Sequence, residues 1–532
     1  MTRRIRRISQ VIFLGLFLYL IYITAYPLKH GALIDLFVRI DPLVAGASML
    51  ASRALISKMW VALILVGVTI LLGRVFCGWI CPLGTTLDAS DKVFFRGIGR
   101  SAAIGLYRLK YYVLAGLLVT ALFSMQAVYL LDPLSLFART VVIGFLAPIQ
   151  MALRWLAAIF YVFSQSEHGS AASAGMWLSD RMASWQFVSG EQLYFRQGLL
   201  VLAVFVAIVG LNSLSRRFWC RNLCPLGALL GLLSFVPVLK RVVGRDCTDC
   251  ARCIQDCKMG AIHDNPRLTR TTECIECFNC VQVCADDAVS FKFRPRPELR
   301  RETALDLSRR RILQGAGVGL AFAAMGKIDP GRKRALGASS QVKLSSQDLI
   351  RPPGSLPEEE FVNRCVRCGS CMKVCPTNGL QPAIYEAGIE GFWTPILVSR
   401  IGCCTENCNA CGEICPSQAI EPFTIEEKKH IFIGTAVIER DQCIAWYADR
   451  KCLVCDEYCS YKAIEWKTVD GFPAGRDPDS RDKRPFVNEK KCVGCGICEY
   501  ACPIQPVAAI RVYSRGDKRH LTRAEQKSWA EK

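Results

Sequence analysis

Apolar runs dominate the first 240 residues and then nearly vanish. Ile8 to Tyr26, Met59 to Ile80 (interrupted by Arg74), Tyr111 to Leu131 and Gln197 to Ser215 are each about as long as a bilayer core requires, and each is predicted to be a membrane-spanning helix. Val141 to Phe163 is equally apolar but holds Pro148 and Arg154. It is expected to be re-entrant or to lie in the interface, because a full crossing would put two matching cysteine motifs on opposite sides. Pro225 to Leu239 is too short to span. Arginines before Ile8, between Arg96 and Lys110, and at Arg216 and Arg217 place those segments in the cytoplasm. Beyond residue 240 the chain is polar apart from Ile312 to Gly326, which follows Ser308-Arg309-Arg310-Arg311. As a helix this run extends about 22 Å, short of the roughly 30 Å core, so crossing and lying on the surface both stay open.

The membrane half contains a repeat. Arg74-Val-Phe-Cys77-Gly-Trp-Ile-Cys81-Pro82-Leu83-Gly84 matches Arg217-Phe-Trp-Cys220-Arg-Asn-Leu-Cys224-Pro225-Leu226-Gly227, and Ile40-Asp41-Pro42-Leu43 echoes Leu131-Asp132-Pro133-Leu134. Duplicated membrane halves place their shared site between the repeats. With cysteines at i and i+4 on one helix face, Cys77, Cys81, Cys220 and Cys224 are expected to converge, to hold a metal or cluster, to cycle as thiols, or simply to pack.

The soluble parts are written around cysteine. Cys247, Cys250, Cys253 and Cys257 have the spacing C-x2-C-x2-C-x3-C, and Cys274, Cys277, Cys280 and Cys284 repeat it. Three thiolates at this spacing wrap one iron–sulfur cube and the fourth serves its neighbour. Cys284 is thus assigned with Cys247, Cys250 and Cys253, and Cys257 with Cys274, Cys277 and Cys280. Two further intact copies are Cys365, Cys368, Cys371, Cys375 and Cys492, Cys495, Cys498, Cys502. Two altered copies lie between them, Cys404, Cys408, Cys411, Cys415 and Cys443, Cys452, Cys455, Cys459. The expected exchange here, which spacing leaves open, is Cys375 with Cys502 and Cys415 with Cys459. Cys403 is left over, because the motif frame selects Cys404. Structural zinc would use two paired C-x2-C elements rather than runs of four.

Composition changes the picture in two places. At 52 % hydrophobic residues the chain is too apolar to be wholly soluble. The formal charge of +20 raises nucleic acid as a partner, but six clusters at about −2 each would leave about +8, and no basic stripe with interleaved aromatics is present. Gly315, Gly317 and Gly319 form no dinucleotide loop, since no strand precedes them. No C-x-x-C-H offers a c-type haem.

These motifs carry a resemblance. Residues 1 to about 295, with two C-x3-C-P motifs ahead of a two-cluster domain, resemble the NapH/NosR group of membrane ferredoxins, without a flavin-attachment domain. Residues 308 to 510, with a twin-arginine start and four cluster motifs, resemble the NapG/MauM ferredoxins. The resemblance implies a fused quinol-oxidising membrane subunit and periplasmic electron carrier with six 4Fe–4S clusters. Its partners would be the quinol pool and a periplasmic or membrane redox protein, with no nucleic acid. The expected class is multi-domain, an α-helical transmembrane bundle plus α+β ferredoxin-like domains, in the bacterial cytoplasmic membrane. Its parts are residues 1–240 (membrane), 241–295 (two clusters, cytoplasmic), 296–340 (basic linker and apolar segment), 341–515 (four clusters, periplasmic) and 516–532 (polar tail). Asp41 and Asp132 are the candidate acceptors of quinol protons, against the plainer reading of an Asp-Pro helix cap. Two rival readings are an electron-donating maturation factor for a partner metalloenzyme, and reverse flow from cytoplasmic ferredoxin to quinone.

Overall fold

A computed structural model describes residues 2–28, 35–94, 106–166, 170–189, 192–235, 237–262, 265–293, 305, 307–328, 349–448, 450–469 and 483–531. Arg96, Arg100, the basic linker 294–304 and residues 329–348 lie outside these.

The apolar runs form a helical bundle. Five of its members are α1 (Thr2–Ile23), α3 (Ala62–Leu72), α5 (Leu109–Leu122), α7 (Gly198–Gly210) and α9 (Arg309–Ile328). Between them sit α2 (Pro42–Ser52), α4 (Pro82–Phe94), α6 (Pro133–Gln165) and α8 (Pro225–Leu233). Two helices, Arg3–Ile23 and α6, are long and apolar enough to cross a membrane. The remaining apolar helices are shorter.

Three expectations are corrected. The run Met59 to Ile80 is not one helix: it stops at Gly73, whose φ of 80° is left-handed, and Val75–Trp79 is a separate turn. The cause is Arg74, which is fully buried and leaves the helix axis to reach Glu273 at 3.4 Å. Val141 to Phe163 does not turn back on itself as a re-entrant loop would, but belongs to the continuous helix α6, which leaves the interfacial alternative standing. Pro148 is accommodated because Thr140–Phe145 just before it is a widened π turn, which eases the clash of the ring with the preceding turn, and the Arg154 guanidinium donates to Val188 O at 2.7 Å. Residues 516–532 are not a tail. Arg519 is buried against Asp517 and Glu358, and helix Arg523–Glu531 sets Trp529 edge-on to Phe432 at 4.9 Å.

The cysteine-rich parts hold two-stranded antiparallel ribbons: β1 (Leu239–Val243) with β2 (Val289–Phe293), Ile464–Thr468 with Lys483–Val487, Thr435–Ile438 with Ile510–Tyr513, and Leu380–Pro382 with Pro395–Leu397. Strands begin at Val289 and Ile464, directly after the small residues Ala288 and Ala463 that follow the cysteine motifs.

The bundle has two faces. At one, the first ferredoxin part docks through Arg74–Glu273, Lys110–Glu273 and Lys258–Asp88. At the other, the four-motif part docks through Arg367, which donates to Gln126 O, and Gln197, which donates to Pro382 O. The helices run from face to face. In α1, Arg6 pairs with Asp88 at one end, while Tyr26 beyond the other end bonds Asn407 O. At α3, Lys58 bonds Glu413 O before the helix, and Gly73 after it abuts Glu276. Helix α9 lies against α5 along a stripe of small residues, Gly315 and Gly319 meeting Tyr112 and Gly116. Its 20 residues extend about 30 Å, longer than the apolar run suggested because Arg309 to Arg311 before it and Lys327 and Ile328 after it are also helical. The side chains of Leu313 and Val318 on its other side are 72 % exposed.

Candidate electron-transfer site

Six groups of four cysteines form. Cys247, Cys250, Cys253 and Cys284 line one pocket, and Cys257, Cys274, Cys277 and Cys280 another. This is the exchange assigned from spacing. In the four-motif part the expected exchange is overturned. Cys415 faces Cys365, Cys368 and Cys371, and Cys375 faces Cys404, Cys408 and Cys411. Cys502 faces Cys443 and its neighbours, and Cys459 lines a pocket with Cys492, Cys495 and Cys498. Motifs therefore pair with their nearest neighbour in the chain, as in the first ferredoxin, since the shorter loop costs less entropy to close. Cys404, not Cys403, stands in its group.

The local fold explains why these residues cup a cluster. In the four unaltered motifs the residues flanking the middle cysteine are left-handed: Asp249 and Ala251, Glu276 and Phe278, Arg367 and Gly369, Gly494 and Gly496. Paired turns of this kind aim backbone N–H groups into one concavity and favour anionic sulfur. Further N–H donors come from Ala261 to Cys257 at 3.2 Å and Ala463 to Cys459 at 3.3 Å. Among the described residues no three Cys, His, Asp or Glu side chains converge on a single ion. The groups thus enclose spaces that suit a multi-iron cube better than lone zinc.

Local contacts link several of the groups to the bundle and to each other. Cys277 lies within electrostatic reach of Arg6 and Arg217 at the bundle face. Deeper in, Cys77, Cys81, Cys220 and Cys224 do converge, but not on shared helix faces. Each Cys-Pro bond starts a new helix, because the residue before proline avoids helical geometry; Cys224 is the N-cap of α8 and accepts from Gly227 N at 3.3 Å. The arginines cross over. Arg217 donates to Cys77 O and Gly84 O of the first repeat, and Arg74 reaches Gly227 of the second. At the opposite face Cys368 packs into the bundle core, Gly369 contacts Val142, and Arg367 stacks on Tyr129 at 3.4 Å. Onward, Cys404 N donates to Cys495 O at 2.8 Å, which joins the two pairs of the four-motif part.

Asp41 and Asp132 are both helix N-caps, as the plainer reading expects. Asp41 accepts from Leu43 N at 2.8 Å and Asp132 from Ser135 N at 2.8 Å. They also face each other, fully buried, each with its second oxygen turned to the other and bonded to nothing else. Sequence reasoning missed Asp88 and Glu273. Asp88 anchors Arg6, Arg217 and Lys258 together, and the neighbouring charges hold its carboxyl well below the usual range despite burial. The only signal was a carboxylate seven residues after a Cys-Pro.

A family described as "4Fe-4S binding domain" matches residues 59–101 and 197–245, the two C-x3-C-P repeats. A "4Fe-4S dicluster domain" matches 450–505 and a further "4Fe-4S binding domain" matches 361–381. The chain is 34 % identical to the methylamine utilization ferredoxin-type protein MauM of Methylorubrum extorquens, over 31 % of this chain and 73 % of that protein. It is 33 % identical to the ferredoxin-type protein NapG of Escherichia coli, over 33 % of this chain and 74 % of that one. It is 25 % identical to the methylamine utilization ferredoxin-type protein MauN of Methylorubrum extorquens, over 48 % and 73 %. No solved structure matches. The dicluster match spans Cys452 to Cys502, in accord with the exchange seen there. On its cysteine groups and on these relatives, the chain belongs to the NapG/MauM ferredoxin-type proteins and is an iron–sulfur electron-transfer protein.

Proposed function

We propose that the chain is an integral membrane relay. It takes electrons from quinol, carries them one at a time along six 4Fe–4S clusters, and delivers them to a redox partner outside the cytoplasm. The supporting observation is that the first ferredoxin part docks at one face of an apolar bundle and the four-motif part at the other. The basic ends of α1, α5 and α9 all lie at the first face, the cytoplasmic one on charge bias. On this reading the NapH/NosR-like half supplies the quinol chemistry and the tetrad Cys77, Cys81, Cys220 and Cys224 is the midway station. Arg74 and Arg217 border it. When bound, the clusters supply one-electron steps and leave bond making elsewhere.

The test is iron and sulfide analysis with potentiometric EPR on detergent-purified protein, with and without a quinol analogue. Quinol should reduce a subset of the clusters; if no cluster responds, quinol is not the donor. Reporter fusions after Pro297 and after Lys532 should fall on opposite sides, and two cytoplasmic reports would remove the trans-membrane reading.

A further inference from the structure

Arg139 lies on α6 where the bundle meets the four-motif part, and it is 1 % exposed. Among the described residues it makes no hydrogen bond or ion pair, and its Nε and Nη1 are buried without an acceptor. Asp132, seven residues earlier on the same helix, is not its counter-charge: one carboxylate oxygen accepts from Ser135 N and the other turns to Asp41. Burying a cation in this way is costly. The surroundings nonetheless hold it in one place. Its guanidinium lies 4.1 Å from the centre of the Trp393 ring, and Trp393 sits between the paired strands Leu380–Pro382 and Pro395–Leu397 with a left-handed φ of 64°. That conformation is rare and strained for a bulky residue. The Trp393 Nε1–H is itself buried without an acceptor, so what the ring offers here is its face, turned to Arg139.

What this cation faces is a cysteine group. Val142 and Ile143, one turn further along α6, pack against Gly369, the residue after Cys368. Cys368 enters the bundle core and lies within electrostatic reach of Arg139. Four thiolates around an iron–sulfur cube are anionic in either oxidation state, and an anion is what a buried guanidinium without an acceptor requires. We propose that Arg139 is the counter-ion of the cluster held by Cys365, Cys368, Cys371 and Cys415, and that its charge raises the reduction potential of that cluster. Uptake of one electron adds one negative charge to the cluster, so a fixed cation in a water-poor interior stabilises the reduced form more than the oxidised one. The cluster becomes a better acceptor at the point where the relay passes from the membrane half to the four-motif part. Arg139 is a positioning residue in this sense: it sets where the electron rests and undergoes no chemistry itself. The inference rests on the cluster reading of this cysteine group, and not on quinol as the donor.

Potentiometric EPR on the full chain in detergent, with dithionite as reductant, tests this. The signal to follow is the one that Cys415→Ser removes. Arg139→Met keeps the length of the side chain and loses the charge. It should disfavour reduction of that cluster about tenfold or more, which lowers the midpoint by about 59 mV or more for one electron. Arg139→Lys should keep most of the parent potential, and the signals of the clusters farther along, at Cys443 and at Cys492, should not move in either variant. Loss of that one cluster in Arg139→Met with retention in Arg139→Lys reads the same way, since the charge is then what the cluster needs. An unmoved midpoint in Arg139→Met, an equal drop in Arg139→Lys, or loss of the cluster in both variants makes Arg139 a packing residue and overturns the proposal. A parent protein with no signal sensitive to Cys415→Ser would instead overturn the cluster reading of this group.

Discussion

Gly319→Ala should destabilise the protein although alanine is the better helix former. A Cβ at Gly319 would lie 2.3 Å from Gly116 O and 2.8 Å from Gly116 Cα, against an ordinary contact of 3.4–4 Å, and all of the obstructing atoms are backbone. Helices α9 and α5 must therefore separate by about 1 Å. Overpacking of this kind costs about 1–3 kcal/mol, and the helix propensity of alanine returns about 1 kcal/mol. The net loss is then up to about 2 kcal/mol. Gly317, two residues away, has nothing within 4 Å. Gly317→Ala should gain about 1 kcal/mol, so the two alanines differ by about 1–3 kcal/mol in opposite directions. Thermal unfolding of the full chain in detergent, followed by loss of cluster absorbance, measures both. Equal shifts for the two variants would show that α9 does not pack on α5 through its glycine stripe, and would remove the main support for its running from face to face.

Cys415→Ser should spare its own motif and damage the cluster of Cys365, Cys368 and Cys371, and Cys459→Ser that of Cys492 to Cys498; EPR showing damage in the parent motif instead would reject the exchange seen here. Total iron should be near 24 per chain from the six groups, whereas about 28 would place a further cube on the tetrad. Glu358→Gln leaves Arg351 buried without its carboxylate and Arg519 with Asp517 alone, and loss of about 3 kcal/mol is expected in chemical unfolding. Burial raises the Glu358 pKa, but the two arginines more than offset it and the net shift is downward. Its contribution is therefore complete above the unfolded value of about 4.3 and is lost as pH falls below it; acid unfolding of Glu358→Gln should show a weaker dependence there. Either Asp41→Asn or Asp132→Asn alone should abolish an infrared band of a protonated carboxylic acid, since one amide ends the need for a shared proton, while persistence of the band in both would deny the pairing.

The cluster motifs were readable because their spacing is local: three thiols two residues apart bind one cube whatever the rest of the chain does. The exchange in the four-motif part was not readable. Whether Cys415 meets Cys371 or Cys459 depends on which loops fold back, and that is settled by contacts such as Leu356 N to Ala419 O, far apart in sequence. The meeting of Asp41 with Asp132 was half legible. The Asp-Pro echo marked both as caps, but only tertiary packing turns one cap towards the other. Arg74 and Arg217 misled most. A charge next to an apolar run reads as a marker of the membrane edge, and both are in fact buried, satisfied by acids distant in sequence, Glu273 and Asp88.

The repeat has a reason that these contacts supply. Four helices start inside the bundle at an X-Pro bond, α2 and α6 capped by carboxylates and α4 and α8 following thiols. Proline at the first position removes an N–H that would otherwise be unsatisfied in an apolar interior. The carboxylate-capped helices run to the four-motif face, where α6 reaches Trp393 and Gly369. The thiol-started ones run to the first ferredoxin, where Gly231 abuts Thr272 and Asp88 holds Lys258. Each half brings one carboxylate, two thiols and one arginine, and none of these is completed within its own half. Asp41 needs Asp132, the thiol pairs need each other, and each arginine braces the cysteine turn of the opposite repeat. A single copy would bury half of each site unpaired, which is costly for every one of these groups. Duplication therefore makes the centre of the bundle a place where charge, protons and thiols can be held without water.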